Sequence, residues 1–202
     1  MSLTPFFIAT LALNLAPGPD MTYVAARSLG QGRRAGLISA LGISAGCLVH
    51  IAAASAGVAV LLRAWPRAYT AIRLAGAAYL LYLGISMWWS AGRGEGLRPV
   101  PRTTDWEIFR QGAITNILNP KVALFYLTFL PQFIPTGAPV LRTSLLLAMI
   151  HNVLGFAWLS LYARFVDRLR TALTRPVVKA WLERVTGGAL VALGARLAWD
   201  RR

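Results

Sequence analysis

Two residues of opposite charge stand beside helix breakers in the middle of apolar sequence: Asp20 and, about 100 residues later, Lys121. The breakers are Pro17, Gly18 and Pro19 before the first charge, and Asn119 and Pro120 before the second. Proline removes a helical hydrogen bond, which exposes backbone polar groups where hydrocarbon offers no partner. A charge at the bilayer centre also costs roughly 2.5 to 3.5 kcal/mol on insertion scales. We therefore expect Asp20 and Lys121 to face each other, water or a solute, as in a transporter.

Two histidines, His50 and His151, occupy similar places in other apolar stretches. Histidine titrates near physiological pH, so either could relay a proton. The competing interpretation is a packed histidine bonded to a neighbouring helix. His151 is the better candidate for the relay, because it forms a polar doublet with Asn152. The further candidates for a pore lining are Tyr23, Tyr79, Tyr82 and Tyr126.

The single cysteine, Cys47, allows no disulfide, no thiolate metal cluster and no dithiol redox pair. The sequence therefore predicts neither a metal site nor a cofactor. Thiol-based electron carriers of similar size are excluded for the same reason.

The composition is that of an integral membrane protein. Of the 202 residues, 56% are hydrophobic and 14% charged, and the mean hydropathy is +0.55, whereas about 25% of a soluble domain is charged. The net charge of +14 would also fit a nucleic-acid-binding protein. The arginines, however, lie at the ends of apolar stretches and not along an amphipathic face. The positions of the arginines indicate that they set the membrane topology, and they predict no nucleic-acid partner.

Six apolar stretches approach the roughly 20 residues that a membrane-spanning helix needs. They are Leu3 to Val24, Leu37 to Leu62, Tyr69 to Trp89, Gln111 to Phe133, Thr143 to Ala163 and Leu182 to Trp199. The links between them are too short for a soluble domain. We therefore expect an all-α membrane protein with one transmembrane domain over residues 1–202, in which the first and fourth helices are broken.

The basic residues predict an orientation. Most of them flank the first, third and fifth links, which places these three links in the cytoplasm and both termini outside. Arg63, Arg67 and Arg73 oppose this assignment. The apolar run at the N-terminus is predicted to be a retained helix, because no lysine or arginine precedes it and no cleavage site is evident.

The two broken segments have a similar layout, in which an asparagine precedes each break: Asn14 before the first and Asn116 before the second. The third and sixth segments share a small-residue cluster followed by Leu-Gly. Three helices followed by three related ones must be inverted in the membrane, and matching breaks in inverted halves indicate a binding site at the midplane. We predict half-repeats over residues 1–92 and 108–202, joined by a cytoplasmic linker at about 90–107. Chance similarity between apolar segments is the alternative.

Several motifs in order resemble the LysE/RhtB family of bacterial amino-acid exporters. They are Asn14 to Asp20, Ala26 to Gly36, Gly76 to Gly84, Asn116 to Lys121 and Phe129 to Phe133. The resemblance implies export of amino acids across the bacterial inner membrane by alternating access, driven by proton exchange. The Pro-Gly-Pro-Asp and Asn-Pro-Lys forms resemble the homoserine- and threonine-exporting branch, which implies a neutral substrate. The implied partners are the amino acid, protons and membrane lipid, and monomer and homodimer both remain open.

An amino acid is a zwitterion and needs a binding pole for each of its charges. Lys121, with the dipole of the half-helix after Pro120, suits the carboxylate, and Asp20 suits the ammonium. The amides that can bind either pole are Asn14, Asn116 and Asn119. The competing interpretation is a permanent ion pair between Asp20 and Lys121 that only ties the two halves together.

Two other functions remain as alternatives. Gly42 to Gly46 matches the Gly-x-Ser-x-Gly pattern of serine hydrolases, and Ser44 with His151 would make an intramembrane hydrolase. That pattern requires a strand-turn-helix elbow, whereas Ser44 lies within uninterrupted apolar sequence whose small residues suit close helix packing. The second alternative is a channel for small solutes.

Overall fold

The structure is a computed structural model that describes residues 4–64, 66–89, 91, 100–135, 137–173 and 176–199. These residues form helices and connecting turns and contain no strand, which confirms the predicted all-α class. The helices are α1 (Thr4–Leu15), α2 (Pro19–Gln31), α3 (Arg33–Ala64), α4 (Pro66–Trp89), α5 (Asp105–Ile117), α6 (Pro120–Leu124), α7 (Val140–Leu173) and α8 (Pro176–Trp199). After α6 the chain continues as a π-helical turn over Phe125–Phe129 and a 3-10 turn over Leu130–Phe133.

Both predicted breaks interrupt helical structure. Gly18 is fully extended between α1 and α2, and Pro19 takes the first position of α2, where a missing N–H costs nothing. The axes on either side of the second break differ by 49°. There the Asn119 side chain accepts a hydrogen bond from the Lys121 backbone N–H at 3.1 Å, which caps α6.

The described helices vary in how well they fit a membrane. Arg33–Gly57 within α3 and Val140–Val166 within α7 are long and apolar enough to cross it, and Asp105–Ile117 with Pro120–Phe133 makes a third span if the bent pair counts as one. Thr4–Leu15 and Leu74–Trp89 are shorter apolar helices. The chain is therefore a multi-pass membrane protein, and the six-span arrangement stays a prediction.

Helix α5 begins at Asp105, earlier than the predicted start of the fourth segment at Gln111. The cause is a local capping signal, since the Thr104 hydroxyl accepts a hydrogen bond from the Glu107 N–H at 3.3 Å. The helix thus extends into the predicted linker. Residues 92–99, which make up much of that linker, lie outside the described part of the chain.

Glycines allow two helix pairs to pack backbone to backbone. A methyl group on Gly84 of α4 would lie 2.5 Å from the Gly187 carbonyl of α8, and one on Gly187 would lie 2.6 Å from the Gly84 carbonyl. Gly42 and Gly46 of α3 abut the α5 backbone in the same manner. Small residues at helix contacts are the usual solution in membranes, where dispersion replaces the hydrophobic effect as the driving force.

A polar cluster, here called the clasp, joins residues 101–103 to α2 and α5. The guanidinium of Arg27, only 6% exposed, donates to the Pro101 carbonyl at 2.8 Å and to the side chains of Gln31 and Gln111 at 3.0 and 2.6 Å. Gln31 in turn donates to the Thr103 carbonyl at 2.7 Å and accepts from the Thr103 N–H at 3.0 Å. The clasp places the first and third links at the same end of the molecule.

Candidate functional site

The site begins where the two breaks meet. Lys121 Nζ donates to the carbonyls of Leu13 at 3.2 Å and Ala16 at 3.0 Å, at the C-terminal end of α1. The Leu13 carbonyl lacks its usual helical partner, because the residue four positions later is Pro17, which has no N–H. The ammonium of one half thus satisfies backbone oxygens that the break in the other half exposes. Gly18 leaves room for it, since a methyl group there would lie 3.1 Å from Nζ.

Asp20 lies in the first turn of α2, where the helix dipole favours a carboxylate. Its Oδ2 accepts a hydrogen bond from Asn116 Nδ2 of α5 at 2.9 Å. Its Oδ1 is buried and has no hydrogen-bond partner. One carboxylate oxygen is therefore fixed to the other half, and the second remains available to a ligand.

Asp20 and Lys121 share a cavity, but among the described residues they form no direct ion pair. The sequence-based prediction that each charge is the other's partner is therefore wrong for this conformation. The physical reason is that the broken backbone and Asn116 supply neutral partners at hydrogen-bonding distance. In this conformation, hydrogen bonds to neutral partners, and not a direct ion pair, join the two halves at the breaks.

The three predicted asparagines differ in position. Asn14 and Asn116 line cavities, and each leaves one amide atom without a partner, Nδ2 of Asn14 and Oδ1 of Asn116. Asn119 lines neither of those cavities, although its Nδ2 is also unpartnered. Its side-chain oxygen is instead engaged in capping α6. Buried polar atoms without partners are uncommon in native structures, so their concentration beside two charges indicates a ligand or water site.

The two histidines have different environments. His50 Nε2 lies 3.0 Å from the Asn116 carbonyl, which fits a packed histidine bonded to a neighbouring helix. His151 is 4% exposed, and its Nδ1 lies 2.8 Å from the Tyr126 hydroxyl. Its Nε2 has no partner, and the residue lines both cavities. Of the two, His151 presents a free ring nitrogen at the site.

Two adjoining cavities of about 40 and 30 Å³ occupy the site. The residues common to both are Asn14, Asp20, Val122, His151 and Leu159. Lys121 lines the smaller cavity and Asn116 the larger one, which extends between α3 and α7 along Ile43 and Phe156. Cavities of this size hold a few waters at most. In this conformation the cavities are too small for an amino acid, which fits only after the helices move apart.

Ser44 does not contact His151 through a hydrogen bond. Its hydroxyl donates to Asn152 Oδ1 at 3.1 Å, and Asn152 Nδ2 donates back to the Ser44 carbonyl at 3.3 Å. The serine lies inside α3 and not on an elbow. The hydrolase alternative is therefore wrong, because it lacks both the activated nucleophile and the turn that would expose it.

The four tyrosines that were predicted to line a pore lie in different environments. Tyr126 is fully buried beside His151, whereas Tyr82 is 65% exposed and Tyr23 donates to the Ile108 carbonyl at 2.8 Å in α5. None of the four, Tyr79 included, lines the two cavities.

Arg27, which the sequence suggested to be a topology charge, is buried in the clasp. No local signal distinguishes it from Arg33 and Arg34, both exposed.

Known proteins resemble the chain over most of its length. A leucine efflux protein of Salmonella typhimurium (strain LT2) is 32% identical over 157 residues, which cover 77% of this chain and 74% of that protein. The uncharacterized membrane protein YrhP of Bacillus subtilis (strain 168) is 26% identical over 204 residues, covering 96% of this chain and 97% of that protein. No solved structure matches. The LysE type translocator model matches residues 11–201. The chain therefore belongs to the LysE type translocator family, and the protein is a membrane transporter and not an enzyme.

Proposed function

We propose that the protein exports neutral amino acids across the bacterial inner membrane in exchange for protons. The observation that carries the proposal is the junction of the two breaks, where opposite charges and unpartnered polar atoms line two small cavities. A zwitterion matches this set. Lys121 would release one of its two backbone carbonyl partners and bind the carboxylate of the substrate. The free Oδ1 of Asp20 would bind the ammonium of the substrate.

Net charge at the site supports a neutral substrate. The lining groups include one carboxylate and one ammonium, so a zwitterion leaves no charge unmatched in low dielectric. A second charge on the substrate would need its own partner, and the larger cavity offers apolar walls at Ile43 and Phe156. The sequence resemblance favours homoserine- or threonine-like substrates, and the leucine efflux relatives add aliphatic ones. Neutral amino acids include both groups.

The first prediction concerns substrate exchange. Purified protein in proteoliposomes preloaded with an unlabelled neutral amino acid should accumulate the same labelled amino acid transiently, with saturation, because an alternating-access site opens to one side at a time and binds one solute in each cycle. The measurement is counterflow with labelled leucine, threonine, homoserine, lysine and glutamate. Empty liposomes are the control. A linear, non-saturating flux would establish a channel instead, and uptake confined to lysine or glutamate would contradict the neutral class.

We also propose that the two halves form an inverted repeat, with links one, three and five in the cytoplasm. The clasp supports part of this arrangement, since it keeps links one and three at one end of the molecule. The end of α7 approaches the same region, where Ala163 lies against Gly36 near the start of α3. The density of arginine around these three links then favours the cytoplasmic side for this end.

The second prediction tests this orientation. In a Cys47→Ala background, a cysteine at Arg102 of the third link should resist an impermeant maleimide in intact cells and react after the membrane is opened. A cysteine at Ala138, before α7, should react in intact cells. Both positions lie outside the helices and neither is buried, so differences in labelling report the side of the membrane and not burial. The reverse pattern would invert the proposed topology.

A further inference from the structure

Tyr126 makes hydrogen bonds that the transport site does not otherwise explain. It is completely buried on the π-helical turn after α6, and its hydroxyl lies 2.8 Å from His151 Nδ1, 3.2 Å from the Ala148 carbonyl and 3.1 Å from Cys47 Sγ. π-Helical turns often occur at functional positions. The opposite ring nitrogen of His151, Nε2, has no partner and its residue lines both cavities.

One hydroxyl proton has to serve these partners, which gives two arrangements. When Tyr126 donates to the Ala148 carbonyl, its oxygen accepts the Nδ1–H of His151, and Nε2 carries a lone pair. When Tyr126 instead donates to Nδ1, the neutral ring carries its proton on Nε2, which then can only donate. The direction of this O–H bond is thus coupled to the tautomer of His151: it fixes on which ring nitrogen the neutral ring carries its proton, and so whether the nitrogen at the cavity can accept a proton or only donate one.

We propose that Tyr126 is a positioning residue for proton coupling, which holds His151 with Nδ1 protonated so that Nε2 takes up a proton from the cavity. In that step an O–H bond of a hydrated proton breaks and a new N–H bond forms at Nε2, and the ring becomes an imidazolium that still donates through Nδ1 to the tyrosine oxygen. When the cavity opens to the other side, the same N–H bond breaks and the proton leaves to water. The inference rests on the proposed antiport and specifies its proton step.

The surroundings of His151 suit this cycle. The charged groups that share its cavities are Asp20 on α2 and Lys121 on α6. From α3, Cys47 contacts the Tyr126 hydroxyl, and His50 stacks on the Tyr126 ring with centroids 6.3 Å apart. Binding of a zwitterion would neutralise both charges together. A bound zwitterion would also occupy the space that Nε2 faces, and its ammonium would repel a proton on His151. Substrate and proton therefore compete for the site, and this mutual exclusion is what an antiporter requires.

The test compares two transport modes of a Tyr126→Phe variant in proteoliposomes. This change keeps the ring, which packs edge-on against Phe125, and removes only the hydroxyl. Transport driven by a pH gradient should fall about tenfold, the equivalent of one lost hydrogen bond, and its pH optimum should shift. Counterflow at equal pH, which needs no net proton movement, should stay near the wild-type rate. Tyr82→Phe, which removes the hydroxyl of an exposed tyrosine that lines neither cavity, should match the wild type in both modes.

A second measurement needs no variant in the site. The chain contains only two histidines, so nitrogen NMR of histidine-labelled protein, assigned with His50→Gln, reads the tautomer of His151 directly. The inference expects a neutral His151 protonated at Nδ1 in the wild type. An Nε2-protonated ring at every pH would overturn it, and so would a Tyr126→Phe variant that keeps full gradient-driven transport or loses both modes equally. A wild type that exchanges substrate without responding to a pH gradient would overturn the antiport itself, so the two failures are distinguishable.

Discussion

Replacing Asp20 with asparagine or Lys121 with methionine is expected to abolish substrate exchange. Each change removes one pole of the zwitterion site, and a charge-assisted hydrogen bond to the substrate is worth roughly 1.5 to 3 kcal/mol. Loss of one such bond lowers affinity by about 10- to 100-fold. The substrate charge that is then left unmatched in low dielectric lowers it further, to below detection. The measurement is counterflow of the best neutral substrate, with the amount of folded protein in the membrane determined by size-exclusion chromatography in detergent.

The two variants should differ in stability. Asp20→Asn keeps a side-chain oxygen that can still accept from Asn116, so its melting temperature should stay close to wild type. Lys121→Met withdraws the donor from the Leu13 and Ala16 carbonyls, and unsatisfied buried carbonyls cost about 1 to 3 kcal/mol. We therefore expect Lys121→Met to unfold at a lower temperature.

The double variant distinguishes binding from structural pairing. A structural ion pair would make each single change destabilising and the double change nearly neutral, because no charge would be left alone. Here the two charges have separate, neutral partners, so their effects on stability should add and exchange should remain absent. A stable double variant that still transports would show that these charges hold the fold and do not bind the cargo.

The positions of the breaks were readable from the sequence because proline acts locally. Pro17 withholds the N–H that the Leu13 carbonyl requires, and Pro120 does not disturb α6 because it occupies the first helical position. The partner of the exposed carbonyls was not readable. This partner is Lys121, which the fold brings against α1 across more than 100 residues. For contacts so distant in sequence, the only guide was charge complementarity, which suggested Asp20 as the partner of Lys121.

The burial of Arg27 also could not be predicted. Its neighbours in sequence, Arg33 and Arg34, are similar in charge and setting, yet both are exposed. Arg27 is buried because residues 101–103 fold back over α2, and its carbonyl acceptor at Pro101 lies 74 positions away. A positive-inside count therefore treats Arg27 as one more topology charge and misses its structural role.

Arg27→Met is expected to destabilise the protein by about 3 kcal/mol, which corresponds to a fall of roughly 10 °C in melting temperature for a chain of this length. The variant loses the charge-assisted hydrogen bonds to Gln31, Gln111 and the Pro101 carbonyl, and leaves these part-buried acceptors without their shared donor. The unbranched methionine retains packing volume, so the loss should report hydrogen bonding and not a cavity. Thermal unfolding in detergent measures it.

Arg34→Met is the matched control, because Arg34 also connects the first link to the start of α5. Its guanidinium lies 2.7 Å from the Asp105 carboxylate, but the two side chains are 83% and 52% exposed. Water and salt screen such a pair, so its removal should change stability by no more than about 0.5 kcal/mol. The contrast isolates burial as the cause, since both arginines reach the same stretch of chain. Equal melting temperatures for the two variants would mean that the clasp does not hold the halves together, and that the contact between α3 and α5 alone fixes this end of the molecule.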